Sequence, residues 1–94
     1  MARADEKYCS SLYRGVGIGI GWRFGYAIDD CVQLIKEMNQ EYWPNIYEGL
    51  GIGVSKRYGY QLDEQVKEAE KIPPEYRPYF QAGIREASDS RMPD

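Results

Sequence analysis

Histidine is absent from the 94 residues, which removes the commonest general base, the usual transition-metal ligand and every Ser-His or Cys-His nucleophile pairing. The groups left that could do chemistry are two thiols (Cys9 and Cys31), two carboxylate pairs (Asp29-Asp30 and Asp63-Glu64) and glycine-rich runs around Gly15 to Gly21 and Gly49 to Gly53. The thiols are too few and too far apart for a C-x-x-C metal cluster. If the chain reverses near Gly25, Cys9 lies about 25 Å before the turn and Cys31 about 8 Å after it, at about 1.5 Å per helical residue. A bridge needs Cα atoms within about 7 Å, so two reduced thiols in packing positions are expected. Adjacent carboxylates on a helix point about 100° apart, and their position at helix starts suits the helix dipole better than acid/base or metal chemistry. The glycine runs fail as phosphate cradles. The third glycine position of a G-x-G-x-x-G pattern holds Ile20 in one run and Val54 in the other, and Lys56 follows Ser55 rather than glycine. No catalytic residue, cofactor or metal is therefore expected.

The elements that carry these residues emerge from a shift of 34 positions. Tyr8 to Gln40 then lies over Tyr42 to Pro74 without a gap, with Tyr8/Tyr42, Tyr13/Tyr47, Gly15/Gly49, Gly17/Gly51, Gly19/Gly53, Gly25/Gly59 and Asp29/Asp63 among eleven identical pairs. A third copy begins at Glu75-Tyr76, aligns Gly83 with Gly49, and stops. The chain divides into units at about 7–40 and 41–74, a capping half unit at 75–87 and a tail at 88–94, all in one domain.

Each unit reads as a helical hairpin. Ile28, Cys31, Val32, Ile35 and Met38 follow the spacing of one helix face, and Leu62, Gln65, Val66, Ala69 and Ile72 repeat it with less apolar character. Gly25 and Gly59 stand where a first helix would end, and Pro73-Pro74 closes the second unit. The Gly-x-Gly-x alternation also fits a strand pressed against another backbone. Helix is preferred, because Gly15/Gly19 and Gly17/Gly21 then form interleaved G-x-x-x-G pairs that admit a close neighbour. Gly15, Gly17, Gly19, Gly49, Gly51 and Gly53 are accordingly assigned to helix packing. The fold class is all-α, five helices over about Asp5 to Arg23, Ala27 to Asn39, Pro44 to Tyr58, Leu62 to Ile72 and Pro74 to Ala87.

The period and the spacing Tyr47-x-x-Leu50-Gly51-x-x-Val54, repeated as Tyr13-x-x-Val16-Gly17-x-x-Ile20 with Pro73 near the close, resemble the tetratricopeptide repeat. The second helix departs from that family, with Asp, Glu and Lys replacing small residues around Asp63 to Glu70 and the turn at Gly59 about one residue late. The resemblance implies an α-α superhelix of stacked hairpins that binds a protein or peptide partner, and carries no catalytic residue over.

Positions kept between units serve the fold, and positions that differ are free to serve a partner. Eight of nine tyrosines fall at matching positions and read as scaffold; Tyr79 is the exception. The positions of Trp22, Leu34, Trp43, Arg77 and Tyr79 vary most in chemistry between units, and Trp, Tyr and Arg are the types that most often dominate interface energy, so these five are the candidate protein-binding residues. Cys9, Leu12, Trp22 and Leu34 have no preceding hairpin to cover them, and a homodimer through that end is expected. The alternative function is a small carrier holding an apolar ligand in a glycine- and tyrosine-lined crevice. A net charge of −3 argues against nucleic acid as partner. No run approaches the roughly 20 apolar residues of a membrane span, so a soluble chain is expected, its compartment open with the cytoplasm favoured.

Overall fold

The computed structural model describes residues 2–25, 27–58 and 67–91, with side chains at 8–25, 27–57 and 67–87. It is all-helical, and no strand occurs among the described residues. Helix α1 spans Ala2–Phe24 and α2 Ile28–Lys36; a 3-10 turn at Gln40–Tyr42 leads into α3, Trp43–Tyr58. Helix α4 is described at residues 67–69, and a second 3-10 turn at Pro74–Tyr76 opens α5, Arg77–Arg91. The expected features at Tyr26, Gly59, Tyr60 and residues 61–66, including Leu62, Asp63-Glu64, Gln65 and Val66, lie outside the described residues, as do 92–94.

Helix ends differ from the sequence reading where local hydrogen bonds offer the backbone another partner. The Gly25 N–H closes α1 on the Gly21 carbonyl at 3.0 Å. Helix α2 stops at Lys36 rather than Asn39. The Met38 N–H still donates to the Ile35 carbonyl, but Asn39 is extended and its side chain accepts from the Glu41 N–H at 3.1 Å, starting the next turn. Helix α5 runs on to Arg91, so residues 88–91 are helix rather than tail. Asp29 and Asp30 occupy the exposed first turn of α2, where negative charge complements the helix dipole.

Both glycine runs are helical, and the reason is visible in what surrounds them. An added Cβ at Gly17 would lie 2.9 Å from the Leu50 nitrogen and nearer still to the Ile46 carbonyl oxygen, while one at Gly21 would lie 2.6 Å from the Leu50 oxygen. From the other side, Gly49 meets the backbone of Arg14 and Ile18, and Gly53 that of Ile18 and Trp22. The contacts advance together along the two chains, so α1 and α3 run parallel with backbones touching. Helices α3 and α5 pack the same way, Gly51 against Phe80 and Ile84, and Gly83 against Glu48 and Ile52. Each helical glycine costs about 0.8–1 kcal/mol of propensity; dispersion between apposed backbones offsets it.

Residues 34 apart make matching contacts across these seams. Tyr13 stacks on Tyr42 at 4.6 Å and 9°, and Tyr47 stacks on Tyr76 at 5.2 Å and 20°. The apolar face of α2, Ile28, Cys31, Val32 and Ile35, is buried against Ile20, Ile46, Tyr47, Leu50 and Val54, with Met38 half-buried at its edge. Ala69, Ile72, Phe80 and Ile84 continue the same core.

Candidate functional site

The side of α3 that receives α1 is built from Tyr42, Ile46, Gly49 and Gly53, and α5 receives α3 through Tyr76, Phe80, Gly83 and Ala87. The matching side of α1 carries Tyr8, Leu12, Gly15 and Gly19, followed by Trp22, on one stripe. Nothing covers it. Leu12 is 52% exposed where Ile46 and Phe80 are 0%, Tyr8 is 70% exposed, and Trp22 47%. Gly15 and Gly19 have no atom within 4 Å of an added Cβ. Of the six glycines assigned to packing, Gly17, Gly49, Gly51 and Gly53 pack as expected. Gly15 and Gly19 do not: they lie on the exposed stripe of α1.

The five candidate contact residues are scattered over the fold. Trp22 projects from the end of α1 with the Arg57 guanidinium 5.5 Å from its ring centre, a cation–π pairing. Leu34 is exposed on α2. Trp43 is half-buried, its indole N–H donating to the Met38 carbonyl at 3.1 Å and its ring edge-on to Tyr76 at 5.7 Å. Arg77 donates from Nε to the carbonyls of Ala69 and Ile72 and from Nη2 to that of Glu70, each at 3.0 Å. It thereby caps the chain where α4 ends, bonding the carbonyls of Glu70 and Ile72 and adding a second donor to that of Ala69, which also accepts from the Ile72 N–H. Tyr79 is exposed, its ring 6.4 Å from that of Tyr76. Trp43 and Arg77 thus spend their polar groups within the chain, while Trp22, Leu34 and Tyr79 keep exposed surface. The sequence reading singled out Leu12 as uncovered without carrying it into the candidate set, and missed Tyr8. The signal for both was the period itself: Tyr8 and Leu12 are the equivalents of Tyr42 and Ile46, which lie on the face of α3 that receives α1.

Both cysteines are free. Cys31 is buried, its thiol donating to the Phe24 carbonyl at 3.1 Å. Burial first, and the nearby Asp30 charge second, push its pKa up to about 12, so it stays a protonated, unreactive thiol near neutrality. Burial pushes the Tyr47 hydroxyl up to about 12 as well, with Tyr76 and Cys31 adding to the shift. No group of three potential metal ligands occurs among the described residues. On the far side of the α1, α3 and α5 layer, Arg14 pairs with Glu86 and lies 3.7 Å from Glu48, tying three helices together. Beside it is a cavity of about 190 Å³ lined by Arg14, Ile18, Ile52, Lys56, Glu86 and Ala87, below the roughly 300–1,000 Å³ of small-molecule sites. No described helix is long and apolar enough to cross a membrane. No protein-family model, curated protein or solved structure matches the chain.

Proposed function

We propose that the chain is a non-enzymatic helical-repeat module of the tetratricopeptide-like kind, which binds protein through the open face of α1 and pairs there with a second copy of itself. The observation that carries this reading is that one set of positions is buried in α3 and α5 and bare in α1: Ile46 and Phe80 against Leu12, Gly49 and Gly83 against Gly15. The covered examples supply the physics, since a helix laid on such a face buries an aliphatic side chain and brings two backbones together at glycine.

The face is also self-complementary. Leu12 and Trp22 lie equally far from position 17, and so do Gly15 and Gly19. Two copies of α1 crossing antiparallel about that point set Leu12 against Trp22 and Gly15 against Gly19, with helix dipoles opposed. A two-fold contact of this sort presents one patch to itself and closes at two chains. The alternative, a carrier for an apolar ligand, needs a cavity of several hundred Å³ beside the glycines; neighbouring backbone fills that place at Gly17, Gly21, Gly49, Gly51, Gly53 and Gly83, and the space beside Gly15 and Gly19 lies on the exposed stripe of α1.

Light scattering at micromolar concentration tests the proposal. The wild type is expected at twice its 10.9 kDa chain mass. Gly19→Leu adds a side chain where the single chain has open space, so it should leave helicity intact and return the mass to one chain. Trp22→Glu with Leu34→Glu should weaken pairing in the same manner. A wild type of single-chain mass throughout the micromolar range defeats the self-association reading.

A further inference from the structure

Two residues recur wherever a first helix receives its successor: a tyrosine that stacks on the next unit's leading tyrosine, and a glycine four places on that touches the next backbone. In α1 they are Tyr13 on Tyr42 and Gly17 against Ile46 and Leu50; in α3 they are Tyr47 on Tyr76 and Gly51 against Phe80 and Ile84. A shift of 34 residues places Gln81 and Arg85 at those two positions of α5, both exposed.

The consequence concerns which copies can meet. The open face of α1 fits a successor-receiving side of the α1 or α3 pattern, and in a second copy both of those are already occupied, α1's by α3 and α3's by α5. Among the described residues, α5 has its corresponding side exposed, at Gln81 and Arg85. There a guanidinium on a four-bond stem stands where the seam leaves no room even for a Cβ, and an amide stands where a ring would stack. Closing such a seam would bury an unpaired charge between two backbones.

We infer that Gln81 and Arg85 form an end stop: they prevent α5 of one chain from seating on the open α1 face of another. Association through α1 then closes at two copies instead of running on head to tail, as a contact between two different faces does when it fails to close into a ring. This rests on the reading that the α1 face docks protein, and it adds which residues decide how many chains join and in which direction.

The test restores the missing pattern. Gln81→Tyr with Arg85→Gly should turn wild-type particles into assemblies whose mass climbs with concentration, measured by sedimentation velocity and light scattering. Adding Gly19→Leu to the same chain should abolish that growth, since it blocks the receiving face. Arg85→Ala, paired with Gln81→Tyr, keeps α5 a good helix former and should show a smaller rise of the same kind, so a helix weakened by glycine does not leave the question open. A folded double variant that holds the wild-type mass at every concentration overturns the end stop, as do assemblies that survive Gly19→Leu. A wild type that runs as single chains removes the two-fold pairing but leaves the end stop to be judged on growth of the double variant relative to wild type.

Discussion

Gly19 and Gly53 have identical neighbours at several flanking positions and equivalent places in their helices, yet substitution by alanine should move stability in opposite directions. At Gly19 an added Cβ meets no atom within 4 Å. Only the propensity term acts, and replacing an interior helical glycine with alanine is worth about 0.8–1 kcal/mol. At Gly53 the same Cβ would lie 3.0 Å from both the Ile18 carbonyl carbon and the Trp22 nitrogen, and nearer still to the Ile18 oxygen. Ordinary carbon contacts fall at about 3.5–4.0 Å. Helices α1 and α3 must therefore separate, loosening the neighbouring contact at Gly49 too. Overpacking costs about 1–3 kcal/mol, and backbone atoms cannot rotate aside as a side chain would, which favours the upper end. After the propensity gain, a net loss of about 2 kcal/mol is expected for Gly53→Ala. For a domain of this size 1 kcal/mol moves the midpoint by about 4–8 °C. Gly19→Ala should thus raise Tm by about 4–8 °C, and Gly53→Ala should lower it by about 8–16 °C. Thermal and urea melts followed by far-UV circular dichroism measure both, at concentrations where the wild type runs as single chains, because Gly19→Ala also disturbs pairing. Shifts of the same sign would refute the claim that an identical sequence motif packs against backbone in one helix and against nothing in the other.

Stability should decline in alkali. Cys31 and Tyr47 hold their protons to about pH 12 when folded, whereas the unfolded chain releases them from ordinary values of 9.0 and 10.0. Their contribution is complete below pH 9 and is lost as pH rises towards 12; urea midpoints should fall across that window, and Tyr47→Phe should flatten part of the slope. Replacing Arg77 with Met strips three carbonyls at the end of α4 of a charged donor, at about 1.5–3 kcal/mol for such bonds. Equilibrium urea unfolding should register that loss, and Arg77→Lys should recover little of it, since an ammonium lacks the planar fork that spans three acceptors.

What the amino-acid order determined by itself is the helical architecture and its spacing. The 34-residue match, the apolar stripe from Ile28 to Ile35 and the glycine closing α1 are local patterns, set by helix geometry and by what a chain reversal tolerates, and they can be read without knowing what touches what. The boundary at Lys36 slipped because the Asn39 side chain accepts from the Glu41 N–H and starts the next turn, competing with continuation of the helix. Candidate contact residues were legible only by type: Trp43 and Arg77 differ between units because each satisfies a particular junction, the indole on Met38 and the guanidinium on the end of α4. Tertiary structure alone decided which of two matching faces is covered. Gly15 and Gly49 stand at the same place in the same pattern, and burial separates them because the α1 backbone lies against Gly49 while no atom lies within 4 Å of an added Cβ at Gly15, a contact that no local window contains.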